Sequence, residues 1–188
     1  MQRFEGKTFL VTGGTSGIGL ATARRLAAEG AEVIATGSRA TSLQEARKVL
    51  GDRVQLLLND AADPAAAGVL AREARGLAKQ LDGVFFNAGF GRFQPLEELS
   101  PEEFDAQFAV NVRGPMLQAR ALAPLLAPNA SLLLNTSVAR NKGMAGMAVY
   151  ASTKGAVRTL VRVLARELAS KGVRVNAVSP GPIETSFF

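Results

Sequence analysis

Thr12-Gly13-Gly14-Thr15-Ser16-Gly17-Ile18-Gly19 decides how the chain is read. Lys7–Val11 before it is short, apolar and β-prone, and Leu20–Glu29 after it reads as a helix. The glycines therefore fall where a strand turns into a helix. Glycine there permits a tight turn and close approach of backbone to a ligand. The first helical turn offers unpaired N–H groups and a partial positive charge, which suits a pyrophosphate. The spacing G-x-x-x-G-x-G differs from the common G-x-G-x-x-G. On this stretch alone, an ordinary Gly-rich strand–helix turn remains the alternative.

Outward from it the pattern alternates. Strands are predicted at Thr8–Val11, Glu32–Thr36, Val54–Leu58, Val84–Phe86, Ser131–Leu134 and Val173–Val178. Helices are predicted at Gly17–Glu29, at Thr41–Leu50, and from an Asp63 N-cap with Pro64 in the first turn to Gln80. Ser100-Pro101-Glu102-Glu103 is a capping box that opens a long helix to Leu126, bent near Gly114-Pro115. A last helix runs from Met147 to Ser170. Such alternation gives an α/β fold with a doubly wound parallel sheet. Its ligand sits beyond the carboxyl ends of the strands, at the switch between strands 1 and 4. With 188 residues and neither linker nor repeat, residues 1–188 are expected to form a single domain.

Composition excludes several chemistries. The chain has no Cys and no His. Disulfides, thiolate chemistry, a Ser-His-Asp triad and a histidine metal site are ruled out, and no metal site is expected. Acid–base work near neutral pH falls to Tyr, Lys, Asp or Glu. The net charge is +6, but the basic residues are scattered, so no nucleic-acid partner is expected. No apolar run is long enough to span a membrane, and the N-terminus lacks a signal-peptide layout. A cytoplasmic protein is expected.

Tyr150, the sole tyrosine, is followed four residues later by Lys154. On a helix both side chains share one face. An ammonium near a phenol stabilises the phenolate, so such a tyrosine can pass a proton to a carbonyl oxygen or take one from an alcohol. A surface Tyr and a solvated Lys are the alternative. Ser137, just past strand 5, can hydrogen-bond a substrate oxygen or its own backbone. Asn111 lies inside the long helix and needs partners that a local break or a bound water would supply. Asn87 directly follows strand 4, at the switch point.

Thr12-Gly13-x-x-x-Gly17-Ile18-Gly19, Asn87-Ala88-Gly89, Asn111, Ser137, Tyr150-x-x-x-Lys154 and Pro180-Gly181 occur in this order. Together they resemble the short-chain dehydrogenase/reductase family over essentially the whole chain. The resemblance implies a Rossmann-type sheet of order 3-2-1-4-5-6 and an oxidoreductase. It would transfer a hydride between a nicotinamide cofactor and a ketone or secondary alcohol. It implies that Tyr150 is the general acid/base, that Lys154 lowers its pKa and binds the nicotinamide ribose, and that Ser137 orients the substrate oxygen. It further implies that Asn111 holds a water in a proton relay behind Lys154. Gly13, Thr15, Ser16, Gly17, Ile18 and Gly19 would cradle the pyrophosphate. Asp60 and Ala61 would meet the adenine, and Asn87, Ala88 and Gly89 the ribose. Ile183 and Thr185, after Pro180 and Gly181, would hold the carboxamide. A non-catalytic dinucleotide-binding regulator on the same fold is the other reading.

After strand 2, Gly37 takes the place of the acid that binds the ribose diol in NAD enzymes. No carboxylate there repels a 2′-phosphate, and Ser38 and Arg39 can bind one. NADP(H) is therefore favoured, with NAD(H) possible. Arg92 and Arg140 are candidate partners for an anionic substrate, with plain surface charges as the alternative, and Met144 and Met147 suggest an adaptable apolar wall. The resemblance also implies a homotetramer or homodimer built through the two long helices, where Ala119, Ala121, Ala123 and Ala127 would permit close packing, though they fit an ordinary core as well. Relatives continue past Pro180-Gly181-Pro182 with a lid, a final strand and a helix. The sequence ending at Phe188 is thus expected to be a fragment, an expectation that an intact mass near 19.7 kDa would count against.

Overall fold

The computed structural model describes residues 2–185. Six strands, β1 (Thr8–Thr12), β2 (Glu32–Gly37), β3 (Val54–Leu58), β4 (Leu81–Phe86), β5 (Leu126–Asn135) and β6 (Arg174–Val178), form one parallel sheet in the order β3-β2-β1-β4-β5-β6. Register is continuous across its centre, with Leu10 beside both Ile34 and Val84, and Val84 beside Leu132. Alternate residues of each strand feed opposite faces, as the two-residue strand period requires. Leu10, Ile34, Val84, Phe86, Leu132 and Leu134 enter one apolar layer. Val11, Val33, Ala35 and Phe85 enter the other.

Seven helices connect the strands among the described residues: α1 (Gly17–Ala28), α2 (Ala40–Leu50), α3 (Ala66–Leu77), α4 (Pro101–Phe108), α5 (Gly114–Leu122), α6 (Ala139–Lys142) and α7 (Ala148–Glu167). Ala23, Ala46 and Leu50 of α1 and α2 cover one face. Leu70, Leu122, Val157 and Leu160 of α3, α5 and α7 cover the other.

Several boundaries differ from expectation. Asp63 does not cap a helix: its carboxylate accepts the Ala65 N–H (2.9 Å), closing a local turn, and α3 starts only at Ala66. Strand β5 begins at Leu126, where the long helix was expected to end; that helix stops at Leu122 and passes through a short 3₁₀ turn. A short helix, α6, interrupts the connection from β5 to α7, for which the sequence predicts neither strand nor helix.

The capping box at Ser100 forms only half. Ser100 Oγ accepts the Glu103 N–H (3.2 Å), but the Glu103 carboxylate turns to Arg92 instead of reaching back. Ser100→Ala should therefore lower stability by about 1 kcal/mol, readable as a shifted urea midpoint with an unchanged m-value.

The bend before Gly114-Pro115 is a π-helical turn, Ala109–Arg113. Pro115 has no N–H to give the Asn111 carbonyl, which disrupts the α-helical ladder at this point. Gly114 lets the turn press against the loop after β3, since a Cβ there would fall 2.6 Å from the Ala61 carbonyl oxygen.

Candidate active site

The first turn is built around missing side chains. Gly13 and Gly17 hold positive φ (62° and 50°), a region that glycine enters without strain. A Cβ on Gly13 would fall 2.8 Å from the Ala88 Cα, and one on Gly19 would collide with the Gly13 carbonyl. Ser16 precedes α1 without capping it by its side chain, and Ser16, Gly17 and Ile18 at the start of α1 line the cleft. Thr12 closes the other side of the turn. Its hydroxyl accepts the Asn87 N–H (3.0 Å) and the Ala88 N–H (3.1 Å), and Asn87 Nδ2 donates to the Gly13 carbonyl (3.1 Å).

A cleft of about 760 Å³ runs from this turn across the strand ends. It is lined by Gly13, Thr15, Ser16, Gly17, Ile18, Ser38, Arg39, Asp60, Ala61, Asn87, Ala88, Gly89, Ser137, Tyr150, Lys154, Pro180, Gly181, Ile183 and Thr185. Two of the expected site residues stand behind its wall. Gly19 lies under Gly13. Asn111, 2% exposed, accepts the Phe90 N–H (3.0 Å) at Oδ1 and donates from Nδ2 to the Phe90 carbonyl (2.8 Å) and Thr153 Oγ1 (3.1 Å). The π turn thus supplies the local break that a buried Asn requires, and the side chain is fully engaged with protein groups.

Helix α7 carries Tyr150 and Lys154 on its buried face. The Tyr150 phenol hydrogen-bonds the Ser137 hydroxyl, which also accepts the Ala139 N–H (3.1 Å). Of the two readings of Ser137, the bond to its own backbone is thus observed, and the same hydroxyl meets the phenol. Burial raises the Tyr150 pKa above its ordinary value, opposed by the Ser137 hydrogen bond. The Lys154 ammonium sits 5.5 Å from the Tyr150 ring centroid and donates to the Asn135 carbonyl (2.9 Å). Burial pushes its own pKa down to about 8.

Neither candidate anion-binding arginine lines the cleft. Arg92 pairs with Glu103, and Arg140 donates to the Ser137 carbonyl (2.8 Å) and Ser179 Oγ (2.7 Å). Phe90, Phe93, Met144 and Met147 do line it.

Asn135 escaped the sequence reading. Its carbonyl holds Lys154, and its Nδ2 donates to Asn87 Oδ1 (2.9 Å), linking α7 to the Gly-rich turn through Asn87. The rule that singled out Asn87, a polar residue ending a buried strand, would have found it. Thr153, fully buried beside Lys154, was also missed.

The family model described as Enoyl-(Acyl carrier protein) reductase matches residues 13–188. The chain is 38% identical over 193 residues to versicolorin reductase 1 of Aspergillus parasiticus, covering 99% of this chain and 73% of that protein. It is 34% identical over 187 residues to the oxidoreductase asL5 of Sarocladium schorii, covering 98% of this chain and 75% of that one. A short-chain dehydrogenase from Burkholderia cenocepacia in complex with NADP superposes with a TM-score of 0.93 at 35% identity, over 98% of this chain and 78% of that one. A 3-ketoacyl-(acyl-carrier-protein) reductase from Brucella melitensis, complexed with NADH, gives 0.91 at 31% identity, over the same shares. The 3-2-1-4-5-6 sheet is thus shared with proteins holding nicotinamide dinucleotides, and the chain belongs to the short-chain dehydrogenase/reductase family of NAD(P)-dependent oxidoreductases.

Proposed function

We propose that the enzyme interconverts a ketone and a secondary alcohol, with Tyr150 as the proton donor and acceptor. The observation that carries this is the phenol of Tyr150 hydrogen-bonded to Ser137 beside Lys154 in the cleft. The bound nicotinamide supplies the hydride in reduction and receives it in oxidation. Ser137 and Tyr150 hydrogen-bond the substrate oxygen, and the phenol gives it the proton that completes the alcohol. A raised phenol pKa keeps that proton available at neutral pH, which suits the reductive direction.

The cofactor fits the chain's own groups. The leading N–H groups of α1 and the glycine cradle suit a pyrophosphate. Asn135 Oδ1 is buried in the cleft wall with no hydrogen-bond partner among the described residues, an acceptor suited to a ribose hydroxyl. Lys154 is proposed to bind the nicotinamide ribose, with Asp60 and Ala61 at the adenine. Ile183 and Thr185, with Pro180 and Gly181, are proposed at the carboxamide. The water relay proposed at Asn111 would use its main-chain carbonyl, since the side chain is engaged.

NADP(H) is the favoured cofactor. Gly37 presents no carboxylate to a 2′-phosphate, and Ser38 and Arg39 lie exposed on that wall. Among the described residues no ion pair engages Arg39, although Glu45 lines the same end. Fluorescence titration should show NADPH binding at least about tenfold more tightly than NADH. Arg39→Ala should erase most of that ratio by weakening NADPH alone. Tighter NADH in the unaltered protein would assign the site to NAD.

Residues 1–188 are proposed to act as one cofactor-binding unit in a cytoplasmic homotetramer or homodimer. Among the described residues no helix is long and apolar enough to cross a membrane. Phe104, Met116 and Val163 leave apolar surface exposed on α4, α5 and α7. Ala119 and Ala127 are buried in this chain's own core, the second of their two readings. Light scattering reads the assembly.

A further inference from the structure

We infer that the substrate is an uncharged, largely apolar ketone of ring size, seated between Phe93 and Met144. The inference rests on the oxidoreductase reading and names the class of molecule that reading leaves open.

Charge in the cleft is confined to the cofactor part. Arg39 and Asp60 lie just past the ends of β2 and β3, Glu45 lies on α2, and Lys154 is buried at 4% exposure. The opposite wall is made by Phe90, Phe93, Val138, Ala139, Met144 and Met147, without a charged side chain among the described residues that line it. Three cations lie close in sequence to this wall, and none lines the cleft: Arg92, Arg140 and Lys142. Arg92 is neutralised by Glu103, and Arg140 is bound to the Ser137 carbonyl and Ser179. A carboxylate or phosphate on the substrate would therefore lose its water without gaining an ion-pair partner there.

The wall is also fixed relative to the reacting phenol. Gly91 packs on the Tyr150 ring so closely that a Cβ would fall 2.6 Å from Cδ2. The Gln94 N–H donates to the Gly146 carbonyl (2.8 Å), tying the loop that carries Phe93 to the loop that carries Met144. Phe93 is 60% exposed and Met144 46% exposed, while Ala139, Met147 and Tyr150 form a buried apolar cluster beneath them. Large apolar side chains left open at the mouth of a cleft mark a binding surface for apolar groups. Continuity with the Tyr150 cleft makes a small ketone the occupant. A flat ring lies against Phe93 on one side and the adaptable Met144 thioether on the other.

The test compares two matched ketones, 2-tetralone and its ring-carboxylate analogue, with the full chain and whichever nicotinamide cofactor binds. The expected result is a kcat/KM for 2-tetralone at least about 100-fold above that for the carboxylate. Phe93→Ala should lower the 2-tetralone value about tenfold with the cofactor Kd unchanged, and Phe93→Arg should narrow the ratio between the two ketones. Equal or preferred use of the carboxylate overturns the inference. So does a Phe93→Ala/Met144→Ala double variant with unaltered kcat/KM. Failure to turn over either ketone, with cofactor binding intact, overturns the substrate class and leaves the dinucleotide site standing. Loss of cofactor binding itself overturns the oxidoreductase site, and the substrate class with it.

Discussion

Tyr150→Phe is expected to lower kcat by about 10²- to 10⁴-fold while leaving the cofactor dissociation constant unchanged. The variant keeps the ring that Gly91 packs on and removes only the hydroxyl bonded to Ser137. Ser137 retains the Ala139 N–H, so the loop after β5 keeps its local tie. Steady-state turnover together with cofactor titration separates the two effects. Residual turnover above about a tenth of the original would mean that the proton reaches the substrate oxygen by another route. In the unaltered enzyme the raised phenol pKa gives each direction its own pH dependence. Reduction needs the protonated phenol and should hold through neutral pH. Oxidation needs the phenolate and should rise by up to about tenfold per pH unit until that pKa is reached.

Lys154→Met should abolish most activity and yet stabilise the fold at pH 7. The ammonium is buried, with its pKa pushed from 10.5 to about 8. Because the folded pKa lies below the unfolded one, the fold disfavours the charged form. At pH 7 that disfavour amounts to at most about 3 kcal/mol. Methionine removes it but forfeits the bond to the Asn135 carbonyl and the contact with the Tyr150 ring, each worth about 1 kcal/mol. A net gain of at most about 1 kcal/mol is expected, or a few degrees in Tm. The unaltered protein gains stability as pH rises from about 8 towards 10.5, where its unfolded state binds the extra proton, so the difference should shrink over that window. Urea unfolding at pH 7 and pH 9.5 reads it, and kcat should fall at least about 100-fold in the same variant. A methionine variant less stable at pH 7 would mean that the surroundings of Lys154 solvate its charge.

Much of this was legible because the signals are local. The glycines at 13, 17 and 19 report a turn that no other residue type enters cheaply, and the apolar strand cores set the sheet. Tyr150 and Lys154 share a helical face by spacing alone. What stayed hidden depended on partners distant in sequence. Nothing near Asn135 says that its carbonyl will meet Lys154, 19 residues on, or that its side chain will meet Asn87. Arg140 suited an anionic substrate until the end of β6 placed Ser179 beside it. Glu103 left half a capping box open because Arg92, from a separate loop, competes for its carboxylate. Asp63 chose a two-residue turn over a helix cap, a local choice between two nearly equal hydrogen bonds.

The π turn at Ala109–Arg113 also separates the history of the site from that of the core. A π turn holds one residue more than the α-helical turn it replaces. Losing that residue would return the segment to α-helical spacing and leave the helix beyond in register, so Gln118, Ala119 and Leu122 would still face the interior. Asn111, inside the turn itself, would lose its reach to Phe90 and Thr153. A one-codon gap between residues 109 and 113 is therefore expected to spare the core and strike the site.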